Sequence, residues 1–138
     1  MADKFSSSMR SFMMSRIRSK NTIPEKRVRS FLFSRGFRYR LHDNKLPGRP
    51  DIVLKKYRTV IQVKGCFWHV HNCKYFSFPK SNKIFWKKKL LSNVERDSSN
   101  QKKLKKLGWT VINVWECKTR KENFKKLLKD LEIKIRKN

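Results

Sequence analysis

The residues with the clearest chemical reach are an aspartate and a lysine on neighbouring apolar runs. Asp51 follows the tight segment Leu46-Pro47-Gly48-Arg49-Pro50 and heads the run Ile52-Val53-Leu54. The next run, Tyr57–Val63, carries Gln62 and leads directly into Lys64. Side chains two apart on a strand share a face, so Gln62 and Lys64 can both turn toward Asp51. A carboxylate beside a carbonyl-bearing side chain and an ammonium could hold a divalent cation against a phosphate. That is the equipment of phosphodiester hydrolysis, where a cation neutralises the phosphate and makes water acidic enough to attack. Magnesium wants oxygen ligands and keeps several waters, so one or two carboxylates suffice. The pattern is short, and Asp51 capping a turn with Lys64 in solvent would give the same letters. With only 10 acidic residues in the chain, each carboxylate set among apolar residues still counts.

A second constellation uses sulfur and imidazole. Cys66, His71, Cys73 and the distant Cys117 form a Cys3His set. Zinc takes four such ligands tetrahedrally, and a closed site of this kind is structural. The clip would join the 66–73 loop to the end of a later strand and replace core that a small, charged domain lacks. Three buried thiols with a hydrogen-bonded histidine are the plainer alternative. His69, two residues before His71, is left free for proton transfer.

Composition narrows the partner. The chain has 138 residues, which suits one domain, with Lys+Arg at 37 against Asp+Glu at 10 and a formal net charge of +27. Such a field attracts polyanions, and for a compact basic domain the natural polyanion is nucleic acid. No apolar run reaches the roughly 18–20 residues of a membrane span. Met1–Ser8 lacks an apolar signal core. The expected compartment is therefore the cytosol, where thiols stay reduced and three cysteines point to metal rather than disulfides.

The elements that must position these groups follow from pattern. Residues 1–22 are polar and basic and read as an arm. Thr22-Ile23-Pro24-Glu25 looks like a helix start, with Thr22 as cap, Pro24 in the first turn and Glu25 completing a capping box. Gly36 is a plausible stop. Phe37–His42, Pro50–Leu54 and Tyr57–Val63 read as strands, the last two joined at Lys55-Lys56. A long helix covers about Lys83–Leu107, with Phe85, Leu90, Leu91, Val94, Leu104 and Leu107 on its apolar side. On the same helix Trp86, Lys89, Asn93 and Asp97 form one stripe, which suits a helix lying in a groove, although ordinary core packing would also explain Trp86. Gly108 ends the helix, Thr110–Trp115 is a β-branched strand, and a basic helix closes the chain. This order means a mixed sheet with helices packed on it.

Three strings are more specific. Leu46-Pro47-Gly48-Arg49-Pro50-Asp51, then Gly65-Cys66-Phe67-Trp68-His69, then Asn93-Val94-Glu95-Arg96-Asp97 resemble the very-short-patch repair (Vsr) mismatch endonucleases. Trp115-Glu116-Cys117 fits as well, and the likeness runs from about residue 10 to 120. The resemblance implies an α/β, restriction-endonuclease-like mixed β-sheet flanked by helices, with a structural zinc site. It implies a basic arm over 1–22 and a single nuclease domain over 23–138. It implies a magnesium-dependent endonuclease, monomeric, that nicks duplex DNA 5′ of the thymine in a T·G mismatch.

In that reading Asp51 and the backbone carbonyl of Val63 hold Mg2+. His69 is the general base, Asp97 its partner, and Glu25 belongs to the outer part of the site. Cys66, His71, Cys73 and Cys117 hold Zn2+. Phe67, Trp68, Trp86 and, from the arm, Met14 match intercalating positions, and Lys89 and Asn93 match base-reading ones. One departure stands out. Where the family has Thr-His or a similar pair before Gly-Cys-Phe-Trp-His, this chain has Val63-Lys64, and Lys64 is expected to hold the scissile phosphate or the attacking water. A sequence-reading nickase and a zinc-stapled DNA-binding module without catalysis are the competing expectations.

Overall fold

The computed structural model describes residues 21–74, 76–120 and 124–137. Met14 and nearly all of the 1–22 arm lie outside the described residues. Helix α1 (Ile23–Ser34) starts as its letters suggest: Thr22 is extended, and its hydroxyl accepts the Glu25 N–H. Glu25 reaches back to accept the Asn21 N–H, one residue earlier than a standard capping box. The helix stops at Gly36, whose φ of +89° is the left-handed geometry a Schellman close needs. The Gly36 N–H reaches the Phe33 carbonyl, and the Phe37 N–H reaches that of Leu32. Phe37 and Leu32 then pack together in the core.

Among the described residues four strands follow: β1 (Arg40–Leu41), β2 (Ile52–Leu54), β3 (Thr59–Lys64) and β4 (Thr110–Trp115). They form one sheet in the order β1-β2-β3-β4, with the first two pairings antiparallel and β3 parallel to β4. Helix α2 (Lys83–Lys106) makes the β3-to-β4 crossover, as a parallel pair requires. Gly108, at φ +90°, closes α2 with the same Schellman bonds, from Gly108 to Lys105 and from Trp109 to Leu104. Helix α3 (Phe124–Arg136) ends the described chain.

The sheet is covered on both faces. Alternation sends Ile52, Leu54, Ile61, Ile112 and Val114 to one side, against Val28 and Leu32 of α1 and Leu131 and Ile135 of α3. Val53, Val60 and Val111 go to the other, against Leu104 of α2. The closing helix is thus more than a basic tail: Leu128, Leu131 and Ile135 recur three and four apart and are all buried.

Two expectations are corrected. The strand expected over Phe37–His42 shrinks to Arg40–Leu41: at its start the Phe37 N–H is still held by the Leu32 carbonyl at the close of α1, and at its end His42 takes a left-handed φ of +48°. The apolar side assigned to α2 is only partly used: Leu90 and Leu104 are buried, but Phe85 and Leu107 are more than half exposed and Leu91 and Val94 also face solvent. Among the described residues, no helix is long and apolar enough to cross a membrane.

Candidate active site and metal centre

The α2-facing side of the sheet carries the polar residues. With Val53 and Val60 pointing to α2, the residues in phase with them are Asp51, Gln62, Lys64 and Asn113. They open onto a cleft of about 620 Å³ whose walls include His42, Arg49, His69, Arg96 and Asp97. Gly48 brings the loop before Asp51 hard against α2. It has φ +76°, and a Cβ there would sit 3.0 Å from the Asn100 side chain, so any other residue would be strained and would press on Asn100. The strand-face argument for Asp51, Gln62 and Lys64 therefore agrees with where the structure puts them.

Asp51 Oδ2 accepts the Val63 N–H at 2.7 Å. Burial pushes its carboxyl up from 3.8 to about 6; the Val63 N–H opposes this, and nearby Glu25 adds to it. A desolvated carboxylate with a second carboxylate near it is a place where a divalent cation would be favoured. The oxygen donors of Asp51 and Glu25 fit a hard ion such as magnesium.

Glu25 keeps its place at the helix cap and also stands beside His42 and Asp51. It accepts the Asn21 N–H at the start of α1 and is buried, 1% exposed. Its Oε2 accepts from Arg29 and from His42 Nε2, each at 2.8 Å. His42 is the site residue that sequence reasoning missed. The chain has only three histidines, and assigning roles to His69 and His71 left this one unexplained; that was the available signal.

On the opposite wall, His69 Nδ1 is hydrogen-bonded to Asp97 Oδ2, linking the 65–73 loop to α2. Lys64 Nζ lies 3.8 Å from the same oxygen and over the Trp115 ring. Burial lowers the Lys64 pKa, while Asp97 and then Asp51 work to keep it charged. Asn113 Nδ2 donates to Gln101, and its buried Oδ1 has no protein partner among the described residues.

Cys66, His71, Cys73 and Cys117 come together as expected, with ligand atoms within 4.8 Å of one another. The His71 Nδ1 lies 3.4 Å from Cys117 Sγ and 3.6 Å from Cys66 Sγ. A tetrahedral zinc ion with the usual bond lengths has an S···N edge of about 3.5 Å, so the donor set fits that ion. The His71 ring stacks on Trp115 at 4.0 Å, which fixes its orientation. Burial pushes the Cys66 thiol up to about 12 and lowers the His71 pKa, aided by Lys118. A bound cation would reverse the first effect.

The aromatic residues gather beside the cleft. Phe67, Trp68 and Trp86 have ring centroids 5.1 to 6.0 Å apart. Phe67 and Trp68 are half-buried, whereas Trp86 is only 7% exposed. Lys89 is exposed. Asn93 Nδ2 donates to the Trp68 carbonyl at 3.1 Å, so this side chain holds the loop that presents the rings.

Comparisons with known proteins agree with these motifs. The family described as DNA mismatch endonuclease Vsr matches residues 2–75. A type II nicking enzyme of Neisseria meningitidis, V.NmeAIP, is 47% identical over 137 residues, 96% of this chain and 98% of its own. Another, V.XorIIP of Xanthomonas oryzae pv. oryzae, is 47% identical over 85% of this chain and 86% of its own. The DNA mismatch endonuclease Vsr of Escherichia coli is 45% identical over 87% of this chain and 77% of its own. A family match over residues 2–75, with relatives 45% and 47% identical over most of the chain, leads to one conclusion: this chain belongs to the Vsr family of DNA mismatch endonucleases.

Proposed function

We propose that this chain, acting as a monomer on chromosomal DNA in the bacterial cytoplasm, nicks duplex DNA 5′ of the thymine in a T·G mismatch by magnesium-assisted hydrolysis and so begins very-short-patch repair. The observation that carries the reading is the meeting of Asp51, Lys64 and the His69–Asp97 pair in one cleft, with Phe67 and Trp68, next to His69 in the chain, packed edge-on and tilted against Trp86. The restriction-endonuclease-like sheet, with 1–22 as arm and 23–138 as one nuclease domain, is part of the same reading.

Asp51, with the Val63 carbonyl and Glu25 nearby, would hold Mg2+, which when bound neutralises the phosphate and acidifies water. The rest falls to the chain. Asp97 holds His69 through Nδ1, leaving Nε2 to take the proton of the attacking water as its oxygen bonds to phosphorus and a bridging P–O bond breaks. The Lys64 ammonium, held between Asp97 and the Trp115 ring, faces the added negative charge. Lys64→Met keeps the stem and removes the charge; we expect nicking to slow about 10²-fold at saturating magnesium. A wild-type rate would leave Lys64 as a packing residue. Cys66, His71, Cys73 and Cys117 would hold Zn2+, fixing the loop that carries His69.

Phe67, Trp68 and Trp86 form a wedge, with Met14 entering from the other groove and Lys89 and Asn93 near the bases. A rare pair is found by how cheaply it deforms, and rings forced between steps part a wobble pair at lower cost than a sound one. The test is nicking of T·G and T·A duplexes of one sequence, with and without magnesium. We expect T·G to be cut at least about tenfold faster, and neither to be cut without the metal. Equal rates on the two duplexes would make the chain a sequence-reading nickase.

A further inference from the structure

We propose that His42 is a nitrogen ligand at the cation site, so that Glu25, His42 and Asp51 together favour a first-row transition ion such as Mn2+ over Mg2+. The inference rests on the magnesium reading, since it shares Asp51. Three separate segments converge here, the start of α1, the turn after β1 and the residue before β2. One ligand atom from each lies within 4.8 Å of the other two. The His42 and Glu25 side chains are 13% and 2% exposed, yet His42 also lines the open cleft.

The backbone is built around this approach. His42 accepts a left-handed φ of +48°, and its N–H bonds to the Asp51 carbonyl at 3.1 Å, so imidazole and carboxylate are rooted on hydrogen-bonded residues. Asp51 uses Oδ2 on Val63, and among the described residues Oδ1 has no protein partner. Glu25 is already fixed by the Arg29 guanidinium at 2.8 Å and the Asn21 N–H at 3.1 Å, and it does not need His42 to hold its position. The proton shared by His42 Nε2 and Glu25 Oε2 thus occupies ground a cation can take, bound by one nitrogen and two carboxylates. Imidazole suits first-row transition ions, while carboxylate oxygen serves Mg2+ and Mn2+ alike, so a mixed set separates the two.

The full chain, loaded with one equivalent of Zn2+ to fill the cysteine cluster, is titrated with Mn2+ or Mg2+ alone. Bound Mn2+ is then examined by electron spin-echo spectroscopy for coupling to nitrogen. We expect imidazole coupling in the wild type and its loss in His42→Gln. Mn2+ affinity should fall about tenfold in that variant and Mg2+ affinity by less than about threefold. Coupling that is absent, or that survives His42→Gln, overturns the inference while Asp51-dependent binding leaves the magnesium reading standing. Mn2+ binding that ignores Asp51→Asn overturns both. Should His42→Gln lose its fold by circular dichroism, His69→Gln decides: coupling retained supports His42, and coupling lost overturns it.

Discussion

Asp51→Asn is expected to reduce nicking by on the order of 10³-fold or more while making the metal-free chain more stable at neutral pH. The first effect follows from losing the charge that holds the cation; a bound metal contributes several kcal/mol to the transition state. The second follows from burial. Asparagine keeps an oxygen for the Val63 N–H but has no charge to desolvate. The Asp51 carboxyl titrates near 6 in the folded chain against 3.8 in water. Between those values the folded state holds more of the proton than the unfolded state, so stability falls as pH rises through the window. Above about 6 the loss is complete, and Asn should exceed Asp by about 2 kcal/mol once partial exposure is allowed for.

The same proton competes with the cation. At limiting magnesium, wild-type nicking should fall about tenfold per pH unit below roughly 6, and raising magnesium should move the midpoint lower. Denaturant melts from pH 3 to 8 and rates at two magnesium concentrations check both halves. An Asp51→Asn chain that nicks normally, or a midpoint indifferent to magnesium, would remove Asp51 from the cation site.

The local half of this design was legible from the letters. Thr22 and Glu25 frame α1, Gly36 and Gly108 end helices by backbone geometry that few other residues accept, and Thr110–Trp115 is a strand to the residue. Strand alternation also placed Asp51, Gln62 and Lys64 on one face, because period two is a property of the strand itself. What failed depended on neighbours. The exposure of Phe85, Leu91, Val94 and Leu107 reflects how little of a 24-residue helix a four-stranded sheet can cover. His42 became visible only when a left-handed turn carried it back to Glu25, and nothing in its spacing encodes that return. The bond from Asn93 to the Trp68 carbonyl likewise needed the loop in place, beside the base-reading role that resemblance implies for Asn93.

Cys117→Ser is expected to lower the melting temperature by about 15 °C or more and to remove nicking with it. Cys117 lies in the short helix Glu116–Thr119 just after β4, whereas Cys66 and Cys73 belong to the loop leaving β3. The cluster therefore ties the loop leaving β3 to the short helix leaving its parallel neighbour β4, two residues beyond the paired Lys64 and Trp115. A metal-free Cys66 thiol near 12 stays protonated, and two buried thiols with a half-buried third make a poor core without a cation. The tie also reaches the chemistry. Val70, between His69 and His71, has φ +51°, a left-handed conformation that costs a β-branched residue on the order of 1–3 kcal/mol. That turn sends His71 to the cysteines and His69 to Asp97. Once the cluster is broken only the His71–Trp115 stack and the loop's own hydrogen bonds oppose relaxation of Val70, and His69 is more easily drawn from its partner. Thermal melts and zinc content of wild type and Cys117→Ser, with a chelator arm, measure the tie. Nicking by Cys117→Ser well below its own melting temperature measures the coupling. A wild type that carries no zinc, or a variant that melts within about 2 °C of it, would leave the cysteines as ordinary buried thiols.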